Sequence, residues 1–329
     1  MELKIRFLSA NDVKMALPME DAIQAVKEAF FQLSLGGARV PMRTVMNIPE
    51  REAVTLIMPA YLPIEDGISL KLISLFNKNP EKGLPLAFSL VILADGKTGA
   101  PLGVLEGGTL TALRTGAASG VATSYLARED SRTVAIFGAG VQGRTQLEAV
   151  CAVRDIERAF IFDPDEEKAK TFAGEMEGKL NIEVIVPASR KVLREADIIC
   201  TATTSKNPVF SHDEIKKGVH INAVGAYKPD GREIPAETVA ASKIVVDHME
   251  SCLTEAGDLI IPLKEGKIKR EDIYGEIGEI IAGKKQGRNG TEEITLFKSV
   301  GNAVQDLVSA KIALKNSESK NLGREIPLI

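Results

Sequence analysis

Cysteine is scarce in this chain and odd in number: three residues in 329, Cys151, Cys200 and Cys252, all far apart. That spacing excludes a disulfide framework and a zinc-ligand set. Cys151 falls in an apolar helical run and Cys200 in an apolar strand, so both read as small core residues. Histidine is equally sparse. His212, His220 and His248 lack the i,i+4 spacing of a metal-binding helix, and a core or loop role is expected for each. No metal is expected. No segment approaches the ~18 apolar residues that a membrane-spanning helix needs, and no basic run with interleaved aromatics suggests nucleic acid. The first residues, MELKIRFLSANDV, mix charge into every few positions. They offer neither an apolar signal core nor an arginine-rich transit pattern, which points to the cytoplasm. Internal repeats and low-complexity tracts are also missing.

What remains is an average globular composition, 44% hydrophobic and 26% charged, with a net charge of −4. The length allows two domains of ordinary size.

The most informative stretch runs from Thr133 to Asp163. TVAIF is followed by Gly138-Ala-Gly140-Val-Gln-Gly143, a helical run, RAFIF, and then Asp163. A strand, a glycine-rich turn, a helix and a second strand ending in a carboxylate together suit a dinucleotide. Gly138 permits the tight turn, Gly140 the approach of a pyrophosphate, and Gly143 the close seating of the helix. The helix N-terminus offers N–H groups to the phosphates. Asp163 is placed to accept hydrogen bonds from an adenosine ribose. With Pro164-Asp165-Glu166-Glu167 behind it and no arginine, NAD(H) is favoured over NADP(H).

From Ser131 onward, strands at 133–137, 158–162, 182–186, 197–201, 219–224 and 243–247 alternate with helices at 142–152, 165–178, 188–195 and 235–241. ITLFKS adds a further strand, and helices are expected at 271–282 and 299–315. The alternation predicts an α/β fold, a doubly wound parallel sheet of Rossmann type. The N-terminal region differs. LKIRFLS reads as a strand. Ser9 then caps one helix, and a second starts near Pro18, with Met19, Ile23, Val26, Phe30 and Leu33 at helical spacing. Residues 38–105 are strand-and-turn sequence, and 109–127 are helical. We therefore expect a second, α+β substrate and dimerisation domain over 1–124, with 302–329 returning to it, and a dinucleotide domain over 125–301.

Ligands in such sheets lie outside the carboxyl ends of the strands. Two more strand ends are polar or glycine-rich: Ala202-Thr203-Thr204-Ser205, and Val224-Gly225-Ala226-Tyr227 running on to Asp230. Thr203 can hydrogen-bond the cofactor, although a plain Thr-rich turn explains it equally well. Gly225 and Ala226 would let the chain pass beside a nicotinamide. Three cations stand in apolar or small-residue surroundings: Arg43 in VPMRTVM, Lys71 in ISLKLIS and Arg114 in TALRTGAAS. A cation in such a place is costly to bury unless it meets an anion, and an arginine fork matches a carboxylate.

Taken together, Arg43 after a proline, Lys71 on a strand, GLP at 83–85, Leu113-Arg114-Thr115-Gly116-Ala117-Ala118, GAGVQG, HINAVGA, EIGEIIAG at 276–283 and TLFKSVG resemble the ornithine cyclodeaminase/mu-crystallin family over nearly the whole chain. The resemblance implies a homodimeric, nicotinamide-dependent oxidoreductase acting on amino or imino acids. It implies that Arg43, Lys71 and Arg114 hold the substrate carboxylate, Lys71 and Arg114 being catalytic and Arg114 also near the cofactor. Gly138, Gly140, Val141, Gln142, Gly143, Asp163, Thr203, Val224, Gly225, Ala226, Tyr227 and Ser299 would face the dinucleotide. Tyr227 stands where cyclodeaminases and archaeal alanine dehydrogenases of the family carry an aspartate, and Asp230 matches a later aspartate of mu-crystallins. Tyrosine is a poor base at neutral pH, which favours reduction of a preformed cyclic imine over oxidation or cyclisation of an amine. Leu86 departs from a cofactor-facing threonine of relatives. The expected activity is reduction of 1-pyrroline-2-carboxylate or its six-membered analogue to L-proline or L-pipecolate. Alanine dehydrogenation, ornithine cyclodeamination and a non-catalytic mu-crystallin-like binding role stand as alternatives.

Overall fold

The computed structural model describes residues 3–329. In chain order the first elements are β1 (Lys4–Leu8), α1 (Ala10–Ala16), α2 (Met19–Ser34), β2 (Thr44–Ile48), β3 (Ala53–Leu62), β4 (Gly67–Phe76), β5 (Ala87–Asp95), β6 (Pro101–Glu106) and α3 (Gly107–Leu126). Then come β7 (Thr133–Phe137), α4 (Val141–Cys151), β8 (Arg158–Phe162), α5 (Glu166–Leu180), β9 (Glu183–Ile185), β10 (Ile198–Thr201), β11 (His220–Ala223), α6 (Ala236–Ala240) and β12 (Ser242–Val246). The chain finishes with α7 (Met249–Glu255), α8 (Gly257–Lys264), β13 (Ile273–Glu276), α9 (Ile277–Ile281), β14 (Ile294–Lys298), α10 (Ala303–Ser319) and β15 (Arg324–Pro327). Two compact units result, Met1–Arg114 with Asn302–Ile329, and Thr115–Gly301. The division falls inside α3 between Arg114 and Thr115, whereas the sequence pattern places the boundary between residues 124 and 125 of the same helix.

The first unit is a seven-stranded sheet in the order β15-β1-β6-β5-β4-β3-β2. Its strands β3, β4 and β5 are long, and burial alternates most clearly on β4: Gly67, Ser69 and Lys71 are buried while Ile68, Leu70 and Leu72 are exposed. The inner face packs on α2 and α10 through Ala25, Ala29, Met58, Leu62, Leu93, Val304, Leu307 and Val308. Ser9 caps α1 as its position suggests, accepting from the Asp12 N–H while Asp12 Oδ2 accepts from the Ser9 N–H at 2.9 Å.

The second unit is an eight-stranded sheet in the order β13-β12-β14-β11-β10-β7-β8-β9, with every neighbour pair parallel. Two apolar clusters, one around Phe137, Ile221 and Leu296 and one around Ile136, Leu147 and Phe172, sandwich it. This is the doubly wound fold that the strand–helix alternation predicts.

Three elements differ from the sequence reading. The predicted helix at 271–282 is a strand, β13, running into the short helix α9. Ile273, Ile277 and Ile280 imitate a helical period, but burial alternates along β13 and the strand completes the edge beside β12. The predicted helix at 299–315 begins only at Ala303, because the buried Asp247 accepts from Ser299 Oγ, Val300 N and Gly301 N and holds those residues in a turn. The predicted helix at 188–195 is a 3-10 run over Arg190–Glu195. β2 lies within the stretch 38–105 read as strand and turn, whereas the sequence pattern gives no sign of β15, α7 or α8.

Candidate functional site

In the first unit, the alternation of β4 turns Lys71 inward, where it is 2% exposed. Its Nζ lies 2.8 Å from Asp306 Oδ2 and 3.5 Å from Thr111 Oγ1. Asp306 is in the first turn of α10 and fully buried. Its other oxygen accepts from Arg114 Nε at 3.0 Å, and Arg114 NH1 donates to Gln305 Oε1 at 2.9 Å. One carboxylate thus holds two cations brought by a strand and a helix distant in sequence. Arg43, which precedes β2, adds its charge to the same field.

The electrostatics are lopsided. Burial lowers the Lys71 pKa to about 8, with Asp306 pulling it up and Arg114 and Arg43 pushing it further down. Burial alone would raise Asp306, but Lys71 and Arg114 outweigh it and hold its carboxyl below the usual range. Lys71 and Arg114, both buried, share the single carboxylate of Asp306, so a further anion is favoured there. Gln305 Nε2 is buried with no hydrogen-bond partner among the described residues, which leaves a donor for a ligand beside Arg114. A small carboxylate fits this arrangement in charge and in fork geometry.

In the second unit, the residues expected to face a dinucleotide lie at the carboxyl ends of the strands. Gly138 has φ 105°, and a Cβ on it would sit 2.5 Å from Ala202 O. A Cβ on Gly143 would sit 2.0 Å from Gly138 O, so α4 can start this close to β7 only with glycine there. Gly140 faces open space and N-caps α4 without a side-chain cap, leaving the first-turn N–H groups to an anion. Val141 beside it is exposed and Gln142 half-buried. Asp163, at the end of β8, accepts from Ala139 N at 2.8 Å and Asp165 N at 2.9 Å, so its carboxylate also braces the glycine turn. Thr203 follows β10 and donates to Glu233 Oε1 at 2.7 Å. Val224, Gly225, Ala226 and Tyr227 follow β11, with Tyr227 exposed. Ser299, after β14, donates to Asp247 Oδ2 at 2.7 Å. The order of strands reverses between β10 and β8 on either side of β7, the switch point at which such sheets bind ligands. These features fit a dinucleotide.

Sequence reasoning missed Asp306, Gln305, Glu233 and Asp247. For Asp306 the available signal was Gln305-Asp306 interrupting the apolar run Ala303, Val304, Leu307, Val308. The histidines stay outside the site. His220 is buried, bonded to Thr295 Oγ1 and Asn222 Oδ1, and its pKa falls to about 3 through burial and then Arg288. Cys200 is buried and Cys151 mostly so, and burial pushes both thiols up to about 12.

Comparison with known proteins adds three findings. The sequence model described as the ornithine cyclodeaminase/mu-crystallin family matches residues 4–321. A Delta(1)-pyrroline-2-carboxylate reductase of Bacillus cereus is 40% identical over 321 residues, covering 97% of this chain and 98% of that protein. Two solved structures superpose on nearly the whole chain. A Thermococcus litoralis Delta(1)-pyrroline-2-carboxylate reductase in complex with NADH and L-proline matches with TM-score 0.93 and 46% identity, covering 98% of this chain and 100% of the other. An archaeal alanine dehydrogenase dimer with bound NAD matches with TM-score 0.93 and 37% identity, covering 99% and 100%.

Proposed function

Because the chain belongs to the ornithine cyclodeaminase/mu-crystallin family, we propose that it is an NAD(H)-linked oxidoreductase that reduces cyclic imino acids, 1-pyrroline-2-carboxylate above all, to the corresponding L-amino acid. The observation that carries this reading is the buried cluster in which Lys71 and Arg114 share the one carboxylate of Asp306, with Arg43 adding positive charge to the field, a setting that attracts a substrate carboxylate. The likeness to a reductase solved with NADH and L-proline supports it.

Arg43 and Arg114 bind the substrate carboxylate, Arg114 held at a fixed angle by Asp306 and Gln305. Lys71 orients the ring and supplies the proton that the imine nitrogen takes up as its C=N bond becomes CH–NH. NADH, when bound, supplies the hydride to the imine carbon. Gly138, Gly140, Val141, Gln142 and Gly143 hold the pyrophosphate, and Asp163 holds the adenosine ribose. The 2′-phosphate of NADP would meet the Asp163 carboxylate, so NAD(H) is the cofactor. Thr203, Val224, Gly225, Ala226, Tyr227 and Ser299 hold the nicotinamide end. Fixing the acceptor against the hydride donor is the main rate contribution expected of the protein.

The working assembly is a homodimer. The outer face of the first unit's sheet carries Ile68, Leu70, Leu72, Phe88, Leu90 and Ile92, each 37% exposed or more. Such a contiguous apolar face calls for a partner, and the related archaeal alanine dehydrogenase was solved as a dimer. We place the enzyme in the cytoplasm, where its free cysteines stay reduced.

The test is NADH oxidation with 1-pyrroline-2-carboxylate, with its six-membered analogue, and with pyruvate plus ammonium. Turnover of the cyclic imines is expected. Turnover of pyruvate plus ammonium alone would replace this reading with alanine dehydrogenase.

A further inference from the structure

Glu233 has no part in the chemistry above, yet it shapes two of the strand ends. It is fully buried. Its Oε1 accepts from Thr203 N at 2.6 Å and Thr203 Oγ1 at 2.7 Å. Its Oε2 accepts from Ala226 N at 2.9 Å and Thr201 Oγ1 at 3.1 Å. Each oxygen therefore faces a backbone N–H that can only donate, which is the environment of an ionised carboxylate. Burial and then Asp258 make that proton harder to lose, while Lys298 and the Thr203 bonds oppose them. Behind it, Asp258 Oδ1 accepts from the N–H groups of Glu233 and Ile234 at 2.7 and 3.0 Å, and Asp258 Oδ2 pairs with Lys298 Nζ at 2.8 Å. The residue thus sits on a buried frame of its own. The loop after β11 fits around it only because residue 225 is glycine: a Cβ there would lie 2.5 Å from both carboxylate oxygens and from Thr203 O.

The sheet order gives this frame a place along the cofactor. β8, ending at Asp163, lies on one side of β7, and β10 and β11 lie on the other. A dinucleotide with its pyrophosphate at the glycine turn and its adenosine ribose at Asp163 extends its nicotinamide half over the ends of β10 and β11. Those are the two ends that Glu233 ties together.

We propose that Glu233 is a positioning residue for the nicotinamide half of the cofactor, locking the Thr201–Thr203 and Val224–Ala226 turns in one arrangement while the glycine turn and Asp163 serve the adenosine half. The inference rests on the NAD(H) reading above. In Glu233→Gln the side-chain volume is kept, but an amide NH2 now faces either the Thr203 or the Ala226 N–H.

The experiment measures dissociation constants of wild type and variant for NADH and for ADP-ribose, which lacks the nicotinamide. Glu233→Gln is expected to weaken NADH about ten-fold, as the two turns lose their fixed arrangement before the nicotinamide half can bind, and to leave ADP-ribose binding unchanged. A loss shared equally by both ligands, as a merely structural role predicts, overturns the proposal, and so does unaltered NADH binding. Should that variant fail to fold, Thr201→Val keeps the shape of a buried strand residue and removes one bond to the same carboxylate. It should give a smaller loss, again confined to NADH, and a shared loss or none overturns the proposal. Wild-type protein that binds neither ligand would overturn the proposed function itself.

Discussion

Asp306 Oδ2 and Lys71 Nζ stand 2.8 Å apart with both side chains all but fully buried, and the same carboxylate grips Arg114 through its other oxygen. Removing one member of a buried ion pair costs about 3–5 kcal/mol, because it strands the other charge. Asp306→Asn strands two cations, so a lowered melting temperature and a large loss of kcat/KM are expected. L-proline should raise the melting temperature of the variant more than that of wild type, since a bound carboxylate replaces the missing anion. Equal stabilisation of the two proteins would show that the product carboxylate binds elsewhere.

The pH profile should carry the signature of Lys71. Its pKa is lowered to about 8 by burial, with Asp306 opposing and Arg114 and Arg43 adding to the fall. In the proposed mechanism it is the ammonium form that donates the proton and attracts the carboxylate, and that form exists below this value. Thus kcat/KM for imine reduction should be level below pH about 8 and fall above it. Arginine does not deprotonate in this range, so Lys71→Arg should abolish the break whatever its residual rate. Because Asp306 raises the Lys71 pKa, Asp306→Asn should move the break to lower pH. A break unchanged in both variants would assign it to another group.

How much of this was legible in the sequence differs by element. The run from Thr133 to Asp163 announced its own structure, because each step follows from local chemistry: a β-branched strand, a turn open only to glycine, a helix start, a strand-end acid. Arg43, Lys71 and Arg114 could be singled out because a cation in an apolar setting is anomalous wherever it lies. Asp306 could not be joined to them, since its partner on β4 is distant in sequence and the pairing exists only once α10 covers the sheet. The same holds for Asp247, which delays the start of α10 by capturing Ser299, Val300 and Gly301. β13 was hidden differently: its isoleucines belong to a strand and a helix in succession, and their spacing imitates one longer helix.

Cofactor preference should follow Asp163. Its carboxylate accepts from the Ala139 and Asp165 N–H groups and steadies the glycine turn; in the proposed role it would also repel a 2′-phosphate. Wild type should prefer NADH. Asp163→Ser should weaken NADH through both effects, and should raise the NADPH-to-NADH ratio of kcat/KM by about ten-fold, the order expected for relief of one like-charge contact. A ratio that stays constant would mean that Asp163 serves the turn alone and that selectivity resides elsewhere.

The outward face of the seven-stranded sheet gives the last prediction. Leu70 on β4 is paired across the ladder with Ile92 on β5, and Leu72 with Leu90, and all four are exposed to 37% or more. Burying a side chain of this kind contributes about 1.5–3 kcal/mol, and a dimer that covers this face does so in both copies. A charge placed there has to be buried unpaired on association, which costs more than the leucine contributed. Leu70→Glu combined with Leu90→Glu should therefore yield monomers in light scattering where wild type gives dimers. The inward-facing Lys71 and its partner Asp306 lie on the opposite side of β4, so far-UV circular dichroism of the variant should match wild type. Dimers that persist in the doubly charged variant would place the interface on another surface.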